Sequence, residues 1–449
     1  MLSCTGTLIL VMALVAPLWS QEDTVSTATP ATTTDNSQMS VPPPVSAESY
    51  PTVTGSEERS NYLRGGVTLS SMYSDNILGG VTPKPVSDES YSISPYISLD
   101  ETTPRLHSLL NFSPGFTFYQ HTSGRNEADE NLALNVSYRL SPHVTLSVVD
   151  FLRKSSSLLN QSGSFGNTAF GAGQVSPVTV LPPVADQLSN AGTGQLTYQF
   201  GPNAMVGANG TFSNLHYSNL AEVPGLYDSA SRGGSVFYTH RLSGRHYIGA
   251  TYSYQDLLAY PPEFSAKTQA QSLTLFYTLY VRPTFSVSFL GGPQYSNTEE
   301  GFFPAMHTVS PSAGASMSWQ EQRTNVSATY SRMIAPGGGL IGAVHQNSGA
   351  ISIRRQLSSS ISAAVQASYS NVRLLDEVLA AQFGGFATNG HTLAGSASLQ
   401  RKMGEHFSAA LSYSRIHQSY SDIPLITGAP DTNMGAVSIS YQFARPLGR

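Results

Sequence analysis

The run AVSISYQF, residues 436–443, sets Val437, Ile439, Tyr441 and Phe443 against Ser438, Ser440 and Gln442 in strict alternation. Successive side chains of a β-strand point to opposite faces, so this run has one apolar face and one polar face. A soluble sheet would place them on a core and in water; a barrel wall would place them in lipid and in a lumen. Repetition favours the wall. The same alternation returns at 67–73, 91–99, 110–118, 132–140, 144–148, 196–200, 204–212, 236–242 and 248–254. It continues at 273–281, 285–289, 313–319, 326–330, 351–357, 361–369, 393–399 and 407–413. Such spacing predicts an all-β, transmembrane, antiparallel up-and-down barrel of about 18 strands, within a range of about 16–18.

The connections strengthen the prediction because they alternate in length. Short turns fall at 139–143, 200–203, 241–245, 281–284, 356–360 and 401–406, with longer stretches between them at 154–193, 218–231, 374–390 and 418–432. That rhythm suits a barrel with short periplasmic turns and long extracellular loops; sandwiches do not keep it. Tyr138, Phe200, Tyr254, Trp319, Tyr330, Tyr369, Tyr413 and Phe443 recur near strand ends, as interfacial girdles require.

Composition agrees. Charged residues are only 11% of the chain, well below a soluble globular domain, while aromatics reach 10%, more than a disordered chain carries. The net charge of −5 points to no nucleic-acid partner. Residues 1–20, with an apolar stretch from Leu8 to Leu18 and a small residue at Ser20, read as a signal peptide. Cys4, the one cysteine, lies inside it, so the exported chain would hold no disulfide. Residues 21–60 are Ser/Thr/Pro-rich and too polar to offset their ordering entropy, and read as a disordered periplasmic leader. The barrel is then expected over 61–443, followed by a short tail, 444–449.

The signal peptide, the hairpin rhythm from Tyr62 and the terminal strand with Tyr441 and Phe443 together resemble the bacterial outer-membrane β-barrel proteins of porin type. The resemblance implies a bacterial outer-membrane location after signal-directed export, no cofactor, and a homotrimer as the habit of that group. It also implies that Tyr441 and Phe443 serve as the tag read by the barrel-assembly machinery. One departure is that Ala444–Arg449 follow Phe443, whereas the aromatic is typically the last residue.

Catalytic motifs do not emerge. None of the 11 histidines stands in HExxH and GxSxG is absent, so the chain is not expected to be an enzyme. Acidic clusters at Glu127, Asp129 and Glu130 and at Glu299 and Glu300 lack the alternate-oxygen spacing of a calcium loop, and no metal site is expected. The Gly-rich APGGGLIGAVH, Ala335–His345, lacks the lysine and helix of a phosphate loop and reads as a flexible external loop.

What remains is the lumen. Its expected lining includes Gln195, Thr197, Gln199, Ser316, Ser318, Ser398 and Gln400, with few arginines, Arg139, Arg241, Arg282 and Arg354 towards the turns and Arg232, Arg332, Arg373 and Arg415 nearer the loops. A neutral lining predicts passive diffusion of small, uncharged polar solutes, because charged rings are what set ion selectivity. The long, weakly charged 154–193 segment, with Phe165, Phe170 and Asp186, is a candidate constriction loop. The alternative function is an occluded structural or surface-interaction barrel acting through its extracellular loops.

Overall fold

The computed structural model describes residues 61–78, 84–155, 186–218, 220, 225–261, 265–300, 305–375, 389–420 and 430–447. The segments read as signal peptide and leader lie outside them. The first nine strands are β1 (Tyr62–Ser74), β2 (Asp88–Thr102), β3 (Leu106–Tyr119), β4 (Glu127–Ser141), β5 (Val144–Ser155), β6 (Gln187–Gly201), β7 (Ala204–Tyr217), β8 (Asp228–Arg241) and β9 (His246–Tyr260). The second nine are β10 (Ala266–Arg282), β11 (Phe285–Glu300), β12 (Met306–Gln320), β13 (Thr324–Ala335), β14 (Val344–Gln356), β15 (Ile361–Leu374), β16 (Asn389–Met403), β17 (Phe407–Tyr420) and β18 (Asp431–Pro446).

They form one 18-stranded antiparallel sheet in sequence order, and β1 pairs with both β2 and β18. Closure gives every strand two neighbours, so the sheet has no edge strand, which is the condition for it to stand in lipid. Each predicted run lies in a different strand, but the strands are longer. β10, for example, begins at Ala266 rather than 273, and β8 at Asp228 rather than 236. The added residues lie at the long-loop end, where the outward positions turn polar: Asn214, Arg232, Asp256, Lys267 and Gln269. The hydrogen-bonded ladder continues there while the hydropathy alternation stops.

Register and exposure agree on the two faces. On β6, Leu196, Tyr198 and Phe200 point outward at 46%, 48% and 51% exposure, whereas Gln195 and Thr197 point inward at 3% and 4%. The outward aromatics form a ring near the short turns, including Tyr138, Phe200, Trp319 and Phe443. A second ring lies towards the long loops, with Tyr73, Tyr330, Tyr369 and Tyr413.

Close ring-to-backbone contacts hold parts of the wall. A Cβ on Gly249 would come within 2.4 Å of the Phe276 ring, and one on Gly207 within 2.3 Å of Phe237. The two rings lie flat over the bare backbone of a neighbouring strand, so their apolar area is buried without pushing into the lumen. β18 runs on through Pro446 and so takes in three of the residues read as a tail. Its Phe443 opposes Gly65 of β1 across the closing seam, its ring 2.7 Å from where a Cβ on Gly65 would stand.

Candidate functional site: the lumen and its crossbar

Inward positions carry hydroxyl and amide side chains on nearly every strand. Directly opposed residues pair across the ladder: Thr68 with Ser440 at 2.9 Å, Ser70 with Ser92 at 2.6 Å, Ser253 with Ser272 at 2.7 Å and Thr278 with Ser288 at 2.6 Å. Ser213–Ser231, Thr268–Thr298 and Ser331–Ser348 repeat the arrangement. Register alone creates these pairs, since antiparallel neighbours with matching parity bring their hydroxyls to hydrogen-bonding distance. Each pair satisfies part of its own hydrogen-bonding capacity, which leaves less for a passing solute to compete for.

Of the expected lining residues, Gln195 and Thr197 are buried on the inner face of β6, and Thr197 Oγ1 donates to the Thr145 carbonyl at 3.4 Å. Gln199 is half-buried there. Ser316 is buried and Ser318 half-buried on β12, whereas Ser398 and Gln400 of β16 are exposed, with Gln400 Nε2 3.5 Å from the Ser408 hydroxyl. All seven sit at inward positions of the register.

The inner surface is uneven. On β7–β10, Met205, Phe237, Tyr247 and Phe276 form a buried cluster with Tyr280 and Leu290 packed against it. Across the barrel, Arg354, Gln366, Ser398, Gln400 and Lys402 are exposed at inward positions of β14–β16. Alternation already sets Phe276 opposite Leu275 and Tyr277, but that it packs with Phe237 and Tyr247 depends on the register between strands.

Cations gather inside the short-turn mouth. Arg64, Arg139, Arg241, Arg354 and Lys402 occupy inward positions near that end. Asp100 is an inward acid nearby, 3.9 Å from Arg64. Counting parity along each strand finds Arg64, which stands in none of the short turns.

The segment that crosses the lumen is not the one the sequence suggests. Phe165 and Phe170 lie outside the described residues; Asp186, at the foot of β6, is exposed, and its carbonyl accepts the Ser218 N–H. The Gly-rich stretch expected to be a flexible external loop instead runs inside the barrel, buried at every position from Ala335 to Val344. The β12–β13 ladder ends at Ala313 opposite Arg332, so the upper part of β13 is free to leave the wall. Ile334 donates its N–H to Gln294 Oε1 at 3.0 Å and packs with Leu257, Ala270, Ala343 and Leu375.

Further along this crossbar, the Gly339 carbonyl accepts the Tyr227 N–H at 2.8 Å, and a Cβ on Gly339 would lie 2.6 Å from the Tyr217 hydroxyl. Gly338 and Gly339 sit at φ of 57° and 107°, a left-handed pair that glycine adopts without steric cost. Leu340 and Ile341 are each 2% exposed, and Leu340 donates back to the Gly337 carbonyl. Burial holds the phenol of Tyr227, in the β7–β8 connection, above its ordinary range. The glycines permit the tight turn and the apolar pair holds it inside; in sequence the same residues read as a loop because their partners come from strands far away in the chain.

Tyr441 and Phe443 point outward at the short-turn end, and the Tyr441 ring lies 5.2 Å from that of Phe407. They therefore help close the β17–β18–β1 seam.

No family model matches the chain, and neither does any curated protein. Among solved structures, it is similar to Pseudomonas aeruginosa OccK2 (OpdF) in complex with glucuronate, at 10% identity over 87% of this chain and 100% of that one, with a TM-score of 0.42. Pseudomonas aeruginosa OpdK with vanillate matches at 9% identity over 85% and 99%, with a TM-score of 0.41. Acinetobacter baumannii OccAB4 matches at 11% identity over 87% and 100%, with a TM-score of 0.40. Likeness at this level carries no statement about lumen chemistry or cargo.

Proposed function

We propose that the chain is a bacterial outer-membrane channel of porin type, through which small polar solutes diffuse passively along the hydroxyl-lined wall. The observation that carries this reading is the division of one closed sheet into an apolar outer face and a self-paired Ser/Thr inner face. Lipid suits the first. Water and uncharged solutes suit the second, and a wall whose hydroxyls already bond each other favours passage over tight binding.

The long-loop end then faces outward and the short turns face the periplasm. Export by residues 1–20 and assembly through Tyr441 and Phe443 belong to the same reading. So does a homotrimer, and an enzymatic role does not. The cations at the periplasmic mouth favour a mild preference for anions laid over a largely neutral path.

Planar-bilayer recording of the purified, refolded chain tests the proposal, and steady conductance steps are expected. Silent bilayers at high protein load would overturn it in favour of a second reading, an occluded barrel that acts through its external loops. That alternative draws its support from the crossbar, whose Leu340 and Ile341 are packed as a plug would be. Replacing both Tyr441 and Phe443 with Ser should lower outer-membrane yield. Because Phe443 also covers Gly65, the loss has to persist in a Gly65→Ala background to count as loss of a tag.

A further inference from the structure

We infer that the outer wall over β6–β10 binds one lipid, its acyl chain in an apolar cleft and its phosphate head group against Arg232. The cleft, about 560 Å³, is lined on its outer side by Leu196, Tyr198, Ala208, Val236, Tyr252 and Leu273. Ala208 forms a low point between Leu196 and Val236, its neighbours in register. The depression continues towards the long-loop end. A Cβ on Gly194 would meet nothing within 4 Å, and one on Gly210 only the Gly233 carbonyl at 4.0 Å.

Arg232 stands at the upper end of this trough. It points outward, is exposed, and its guanidinium makes no ion pair or hydrogen bond with a described residue. Asp256, opposed to it in register, is engaged elsewhere: the Tyr254 hydroxyl donates to it at 2.8 Å and Lys267 Nζ lies 4.0 Å away. Phe212, its other neighbour, leans away over Gly192, where a Cβ would lie 2.4 Å from the ring. The guanidinium is therefore left to an outside anion, and Asn214, exposed on the adjoining strand, adds an uncharged donor beside it.

Dimensions and charge select the occupant. From Arg232 to Tyr238 along β8 the trough runs six residues, about 20 Å of strand at ~3.3 Å per residue, which matches an extended acyl chain. Arg232 at the aromatic–polar boundary, with the neighbouring Lys267 set against Asp256, matches one phosphate. A neutral lipid would fill the cleft but leave Arg232 without a counter-charge.

The inference rests on the membrane-wall part of the proposed function and is independent of whether the lumen is open. The test is native mass spectrometry of the full chain extracted from outer membranes in mild detergent, with Arg232→Gln, Ala208→Phe and Arg332→Gln compared. One co-purifying phosphorylated, acylated lipid is expected on the wild type. Occupancy should fall roughly fivefold in Arg232→Gln, the contribution of one basic residue at a membrane surface. It should vanish in Ala208→Phe, whose ring fills the cleft, and remain in Arg332→Gln, an outward cation on β13. Arg232→Gln is a surface change that leaves the barrel folded, so it decides the matter even where Ala208→Phe does not assemble. Wild-type occupancy in Arg232→Gln, no lipid on the wild type, or equal loss in Arg332→Gln would each overturn the inference. Absence of the wild-type chain from the outer-membrane fraction would instead count against the membrane reading itself.

Discussion

In their short-turn halves the inner faces of β7–β10 and β14–β16 are built on the same ladder, yet one is packed shut and the other is open, whereas Val372, Leu374 and Thr392 are buried in the long-loop half of the second. On the first, Met205, Phe237, Tyr247 and Phe276 bury one another, and the hydroxyls of Thr278 and Ser288 lie fully covered beside them. On the second, Gln366, Ser398, Gln400 and Lys402 stand exposed. A closed sheet makes a cylinder, but inward side chains of unequal size make the usable path eccentric. The crossbar adds to this, because its contacts with Leu257, Ala270, Tyr217 and Leu226 lie on the packed side. The difference assigns structure to one wall and, under the proposed function, transit to the other.

That division can be broken experimentally. Phe276→Ala should remove the centre of the packed cluster and cost about 3–5 kcal/mol, read as a lowered urea midpoint of the refolded barrel. A cost below about 1 kcal/mol would mean that the cluster does not hold this wall. Gly249→Val should drive its side chain into the Phe276 ring and cost about 1–3 kcal/mol by the same measurement, with Phe276→Ala as the background that relieves it. Gln400→Ala, on the open wall, should stay within about 0.5 kcal/mol.

The transit side is tested by conductance. Replacing residues 337–341 with a two-residue turn should raise single-channel conductance about twofold or more, since the crossbar narrows the path. An unchanged value would move the narrowest point elsewhere. Reversing charge at the open mouth with Arg354→Glu and Lys402→Glu should shift the reversal potential in a salt gradient by only a few millivolts towards cations. The other mouth cations remain, and salt screens exposed charges over about 10 Å. A large shift would show that those two residues alone set selectivity.

One residue offers a separate comparison within the outer face. Asp150 points outward between Leu134 and Gly192, near the Asn190 side chain, and its Oδ1 is buried without a hydrogen-bond partner among the described residues. A charged group on the lipid face is costly in proportion to its depth, so Asp150→Leu should stabilise the barrel, by up to about 2 kcal/mol. A destabilised variant would mean that the Asp150–Asn190 contact contributes more than its desolvation costs.

Each predicted run lies within one strand because an apolar residue at every second position is a local property, legible wherever lipid lies on one side. Strand length was not legible. Above the aromatic ring both faces are polar, and Arg232 or Asp256 in a strand looks like Arg or Asp in a loop. The lining was legible as residue type, since Gln195, Thr197 and Ser316 alternate with apolar neighbours, but its openness was not. Nothing local distinguishes the covered Thr197 from the exposed Gln400.

The chain's alternation and turn spacing are enough to determine an all-β wall, the face each residue takes where the alternation holds and an approximate strand number. Those properties depend on neighbours one or two positions away. Alternation and spacing also imply that the last strand closes on the first, but tertiary structure alone decides the register that sets Phe443 over Gly65, that Ile334 packs with Leu257 and Ala270, and that Ala335–Ala343 turns into the lumen rather than away from it. These depend on partners hundreds of residues distant or on the opposite wall. The physical reason is the same for all three: a glycine-rich turn and an apolar pair are stable wherever their partners happen to be, and only closure of the barrel brings Leu257, Ala270 and Tyr217 to where Ile334, Ala343 and Gly339 can reach them.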